Sequence, residues 1–228
     1  MTLVIQDLVK SFDQPGGGKL TVLDIPRFEI GESEQVALIG QSGGGKTTLL
    51  HLIAGLLTPD SGSIRVAGTE LTRLSEQGRD RFRASAVGYV FQTFNLLPAF
   101  TALENVRLGM TFGHGRHDPV RAKELLGRVG LADRANYRPA QLSVGQQQRV
   151  AIARALAGKP KLLLADEPTA NVDPVSAESV LDLILDSCRD EGIALLMVTH
   201  SMEIADKFAR VDRLDEINRA FSGTAASS

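Results

Sequence analysis

Short unbroken apolar runs recur along the chain, each ending at a turn signal: EQVALIG at 34–40, KLLLAD at 161–166 and IALLMVTH at 193–200. Runs of this kind predict strands buried on both faces, as in a parallel sheet. Helical patterns lie between them. One is KTTLLHLIAGLL after Gly45, and another is DPVSAESVLDLILDSCRD at 173–190, opening with Asp173 as N-cap and Pro174 in the first turn. Strands alternating with helices predict crossover units and a doubly wound α/β core. Near the N-terminus, LVIQDLVKSF and KLTVLDIPRFEI flank DQPGGG, which predicts an antiparallel hairpin. Residues 95–158 carry helical patterns and no convincing strand, and read as a helical subdomain inserted into the core. The tail FSGTAASS at 221–228 is small and polar and is expected to fray.

Composition narrows the possibilities. A chain of 228 residues with 43% hydrophobic and 23% charged residues predicts one large globular domain. Lys and Arg total 25 against 27 acids, a net charge of −2, which argues against a nucleic-acid partner. Tryptophan is absent and aromatics are 5%, so base stacking is not expected. The longest apolar run, IALLMV at 193–198, is far short of the ~20 residues of a membrane span. The N-terminus has no signal-peptide pattern. A cytoplasmic location follows as the expectation, with any membrane role exercised through a partner. The single cysteine, Cys188, falls in line with Leu181, Ile184 and Leu185 and reads as core.

The strongest local chemistry is GQSGGGKTT at 40–48, which fits G-x-x-x-x-G-K-[ST] with Gly40, Gly45, Lys46 and Thr47. Its glycines let several backbone N–H groups face one anion, and the following helix adds its positive end. Lys46 reaches the β- and γ-phosphates, and the Thr47 hydroxyl ligates Mg²⁺. A predicted strand before the motif and a helix after it supply the right context. KLLLADEP then ends a strand in two carboxylates, where open α/β sheets place ligands. Asp166 is expected to hold Mg²⁺, and Glu167 to act as general base toward a water. Adjacent acids also end many strands without chemistry, and it is the P-loop that gives these two weight. Gln92, closing VGYVFQ, and His200, closing the third apolar run, are each ambiguous alone. The arginines of GRDRFRAS at 78–85 read as a solvated helix face.

LSVGQQQRVAIARAL at 142–156 resembles the signature of the ATP-binding cassette (ABC) ATPases, usually LSGGQ. The resemblance extends in order over roughly residues 1–212. It implies a P-loop NTPase core with a mostly parallel sheet, an N-terminal antiparallel β part and an inserted helical subdomain. The whole chain, 1–228, would be a single ABC ATPase domain. Residues 1–93 and 159–220 would form the nucleotide-binding core, and 94–158 the helical signature subdomain.

The site residues implied are Phe12 stacking on adenine, and Gly40, Gln41, Ser42, Gly43, Gly44, Gly45, Lys46, Thr47 and Thr48 around the phosphates. Ser143, Gly145 and Gln146 would meet a nucleotide held by another chain. Glu167, His200 and Gln92 are the catalytic set, with Thr47, Gln92 and Asp166 toward the metal. ANVD at 170–173 corresponds to the D-loop.

The implied cofactors are ATP and Mg²⁺. The implied partners are a second copy of the chain, arranged head to tail, and an integral membrane permease, with the chain on the cytoplasmic face of the inner membrane. Docking is expected near 94–115, where Phe94, Leu96, Leu97, Pro98, Phe100 and Leu103 cluster.

FNLLPAFTALENV at 94–106 and RANYRPAQLS at 134–143 are similar to the lipoprotein-releasing (LolD-like) and macrolide-exporting (MacB-like) branch. That branch implies export or lipoprotein-type extraction. The alternative is an FtsE-like regulatory ATPase that activates a membrane partner without transport. Soluble DNA-repair and translation-associated cassettes carry long coiled coils or paired cassettes, which this chain lacks. Two departures stand out. Val144 replaces a glycine in the signature and must take an ordinary backbone conformation, and VDRLDEINRAF lacks the family's Asp-Gly turn.

Overall fold

The computed structural model describes residues 1–111 and 118–220. The tail at 221–228, and 112–115 of the expected docking stretch, lie outside the described residues. In chain order the elements are β1 (Leu3–Asp13), β2 (Lys19–Ile30), β3 (Gln35–Ile39), α1 (Lys46–Ile53), β4 (Ser61–Val66), β5 (Thr69–Glu70), α2 (Glu76–Ala86) and β6 (Val87–Val90). Then come α3 (Ala102–Thr111), α4 (Pro119–Arg128), α5 (Val144–Ala157), β7 (Leu162–Asp166), α6 (Pro174–Glu191), β8 (Ala194–Val198), α7 (Met202–Ala205), β9 (Arg210–Arg213) and α8 (Leu214–Ile217).

Two sheets organise these elements. An antiparallel sheet has the order β2-β1-β4-β5, and a parallel one the order β6-β7-β8-β3-β9. Strand alternation divides the parallel sheet's side chains between two cores. Val36, Leu38, Leu162, Leu164, Leu196 and Val198 pack against α1 and the antiparallel sheet. Ala37, Ile39, Leu163, Ala165, Leu195 and Met197 face the α3–α6 side. Burial on both faces explains why the strands read as unbroken apolar runs.

The expected hairpin is present as β1 and β2. Two further strands join it, β4 and β5. SGSIRV is too short and polar to announce a strand. Its place is fixed by β1, with Ile64 opposite Ile5 and Val66 opposite Leu3.

Helix α1 stops at Ile53 instead of running through Leu57, because Gly55 turns left-handed at φ 68°. Helices α3 and α5 approach so closely at Gly109 that a Cβ there would collide with the Arg154 carbonyl oxygen. The arginines of α2 are only partly a solvated face. Arg79 donates to the Leu74 carbonyl at 2.9 Å, and Arg83 reaches Ala54 and Gly55 at 3.5 and 3.4 Å. Asp173 caps α6 through the Ser176 N–H, and Pro174 occupies its first turn. Cys188 is fully buried, and burial, with the Glu191 charge adding, pushes its thiol up to about 12. Among the described residues no helix is long and apolar enough to cross a membrane.

Candidate nucleotide site

The P-loop joins the end of β3 to the start of α1. Gly45 is the N-cap of α1 with φ 91°, and its bare Cα rests on β2. A Cβ there would fall 2.8 Å from Val22 Cγ1 and 3.0 Å from Leu23 Cδ2, so both the conformation and the space require glycine. Gly43 is also left-handed, at φ 76°. Lys46 is buried, and its Nζ donates to the carbonyls of Gly40 and Gln41 at 2.8 and 2.9 Å. The ammonium therefore sits inside the loop. The first N–H groups of α1 have no intrahelical acceptor and carry the helix's positive end. Gln41, Ser42, Gly43 and Thr47 are exposed around them. An open ring of donors with a cation at its centre fits a phosphate chain.

Asp166 ends β7 on the same face as Leu162 and Leu164, toward α1. Its carboxylate faces the Thr47 hydroxyl. Burial raises its pKa and the Glu167 charge raises it further, against the lowering by the Thr47 bond and by the His51 and Lys46 charges. A carboxylate beside a hydroxyl is a hard oxygen set suited to Mg²⁺. Among the described residues no group of three or more His, Cys, Asp and Glu gathers to cage a metal. Such a pair matches Mg²⁺ sites that borrow ligands from phosphates and water.

Glu167 adopts φ 44°, a left-handed conformation that is uncommon outside glycine. Its N–H donates to the Val198 carbonyl at 3.0 Å, and its Oε2 lies 2.9 Å from His200 Nδ1. The adjoining ends of β7 and β8 thus bring together the two residues that the sequence separates by 33 positions. Strand β6 ends at Val90, so Gln92 sits two residues beyond it, exposed. The Gln92 carbonyl accepts from Asn171 Nδ2 at 2.9 Å, tying the 170–173 segment to it.

The signature residues lie at a different place. Ser143 is the N-cap of α5; its Oγ accepts from the Gln146 N–H at 3.3 Å, while Gln146 Oε1 accepts from the Ser143 N–H at 3.0 Å. This capping box was readable as S-x-x-Q. The Ser143 hydroxyl is an acceptor here, so its own hydrogen stays free for an anion. Val144 begins the helix with its side chain exposed, which answers the concern about its backbone. Ser143, Val144, Gly145 and Gln146 line a cavity of about 410 Å³ with Asp173 and Ser176, and no residue of 40–48 lines it. Phe12, half exposed near the end of β1, has Lys10 Nζ 5.3 Å from its ring centre.

Two polar residues of α5 beside the site, Arg154 and Gln148, carry no role in the sequence analysis, and Asn171 enters it only as part of the ANVD segment. Arg154 donates to the carbonyls of Phe94 and Asn95, just past Gln92. Gln148 donates to the carbonyl of Pro168, just past Glu167. Their signal is faint: Gln148 is the last of three consecutive glutamines, and Arg154 is a lone charge in the apolar stretch that follows.

The ABC transporter family model matches residues 23–170. The chain is 47% identical over 216 residues to a lipoprotein-releasing system ATP-binding protein LolD of Cereibacter sphaeroides, covering 93% of this chain and 96% of the relative. A second such protein, LolD 2 of Caulobacter vibrioides, is 47% identical over 201 residues, covering 87% and 88%. Among solved structures, a dimeric ATP-binding cassette in a post-hydrolysis state bound to ADP and Pi matches with a TM-score of 0.84 at 34% identity, covering 92% of this chain and 93% of that one. A dimeric bacterial ABC transporter cassette matches with the same TM-score at 35% identity and the same coverage. Sequence and fold agree, and the chain belongs to the ABC transporter family as an ATP-hydrolysing subunit.

Proposed function

We propose that this chain is the ATPase of a lipoprotein-releasing transporter, working as a dimer on the cytoplasmic face of the membrane and driving a separate permease. The cargo class rests on the relatives, which are named for lipoprotein release. The hydrolytic reading is carried by one observation, the 2.9 Å contact of Glu167 with His200 at the strand ends beside the Thr47–Asp166 pair.

In this reading the backbone of Gly40 to Thr48 and the Lys46 ammonium hold the phosphates, and Phe12 stacks on adenine. Thr47, Asp166 and Gln92 would hold Mg²⁺, which would neutralise charge on the phosphate oxygens. Glu167 takes the proton of the attacking water. His200 holds the Glu167 carboxylate by one oxygen, leaving the other for that water. The cavity at Ser143 is apart from the chain's own P-loop, and it is filled by the partner's nucleotide. Ser143 Oγ, the Gly145 N–H and Gln146 then face the γ-phosphate from the far side in a head-to-tail pair. Residues 94–158 form the signature subdomain beside the nucleotide core.

The permease docks along 94–103, where Leu97 and Phe100 are exposed while Leu96 and Leu103 pack on the core. Beside it lies a groove of about 730 Å³ lined in part by Arg81, Arg83, Phe91 and Arg154. That lining suits a permease segment with apolar and acidic side chains.

The test uses proteoliposomes holding the chain and the membrane protein that co-purifies with it. Mg-ATP should release a labelled lipoprotein. Lys46→Ala removes the charge over the β/γ-phosphates and should abolish turnover, ATP-driven dimerisation and release together. ATP turnover with no release by the wild-type complex would favour the regulatory alternative. ATP-driven dimers that persist in Lys46→Ala would show that the lysine is not needed to hold nucleotide.

A further inference from the structure

Gln148 lies on α5, five residues after the Ser143 cap, and is fully buried. Its Nε2 donates to the Pro168 carbonyl at 2.7 Å, and its buried Oε1 has no hydrogen-bond partner among the described residues. A buried amide with an orphaned acceptor is costly, and an apolar side chain of the same size would fill the space without that cost. What glutamine adds is the one donated bond. The bond falls on the carbonyl next to Glu167, whose φ of 44° needs support. Proline at 168 has no N–H of its own to anchor this turn. Helix α5 is a firm place to tie it, since Arg149 braces the same helix to Ser179 at 2.9 Å and to the Val129 carbonyl at 3.2 Å.

We infer that Gln148 is a positioning residue that holds Glu167 in its left-handed conformation by fastening Pro168 to the signature helix. The inference rests on the composite-site reading above. There, the start of α5 serves the partner's nucleotide, while Glu167 serves the nucleotide of its own chain. The Gln148 bond therefore joins the two ATP sites through the body of one chain. Seating α5 on one nucleotide sets the general base at the other.

Gln148→Met keeps the volume and removes both the donor and the orphaned acceptor. Turnover per site, normalised to sites that bind a fluorescent ATP analogue so that unfolded protein does not count, should fall roughly 3- to 10-fold. KM for ATP should stay within about twofold, because the P-loop is untouched. The decisive measurement is a double-mutant cycle on single-turnover hydrolysis. In a Glu167→Gln background, Gln148→Met should cause no further loss, since the group it acts through is already gone. An equal loss in both backgrounds would mean a merely structural role and overturn the inference, as would unchanged turnover in Gln148→Met alone. A Glu167→Gln chain with near-normal hydrolysis would instead sink the general-base reading, whatever Gln148→Met does.

Discussion

Glu167→Gln is expected to slow ATP hydrolysis by roughly 10²–10⁴-fold while leaving ATP binding intact. The substitution keeps the size of the side chain, and its amide can still pair with His200 across the 2.9 Å gap. It removes the basic oxygen that would take the proton from water. Lys46, Thr47 and Asp166 are unchanged, so nucleotide still enters and still draws two chains together. With Mg-ATP the variant should accumulate as a dimer on gel filtration, because the step that releases the closed state is blocked. Near-normal turnover would remove Glu167 from the role of general base.

Ser143→Arg should abolish both hydrolysis and ATP-driven dimers while a single chain still binds ATP. Ser143 lines a cavity apart from the P-loop, so its own chain's nucleotide is unaffected. In the composite-site proposal an arginine there puts bulk where the partner's γ-phosphate would pack, and it also destroys the capping box with Gln146. Losing such a cap costs about 1 kcal/mol, too little to unfold a domain of this size. Mixing Ser143→Arg with Lys46→Ala chains sharpens the test. In a mixed dimer the intact P-loop of the first meets the intact signature of the second, so one site is whole. Some turnover should then return above either parent alone. Wild-type hydrolysis and dimerisation by Ser143→Arg alone would show that the signature is not part of a shared site.

The nucleotide loop and the acidic strand end were legible because their chemistry is local. GQSGGGKTT carries its own turn, donors and helix start, and KLLLADEP carries a buried strand with two acids at its edge. Gln92 and His200 had no such context and were assigned only through family resemblance. The structure gives His200 a partner that single-residue reasoning does not supply. What stayed hidden depends on contacts between distant segments. The register of β4 comes from β1, the Gly109 approach from α5, and the burial of Gln148 from its neighbours in the fold. The arginines of α2 were half misread for the same reason, since the carbonyls they meet belong partly to the turn after α1.

The strand that carries the P-loop has both of its neighbours in the last fifth of the chain. In β3, Val36 lies between Leu196 of β8 and Arg210 of β9. The floor beneath Gly45 is closed later still, when buried Asn218 donates to the Val22 carbonyl at 2.9 Å and accepts from the Asp24 N–H at 2.7 Å. A ribosome making this chain therefore exposes the apolar QVALI strand long before it supplies either partner strand. The nascent chain carries an unpaired, aggregation-prone edge until β8 and β9 emerge. The phosphate loop is thus made well before the strands that hold its strand in place, and the site cannot take shape until β8 and β9 have followed it.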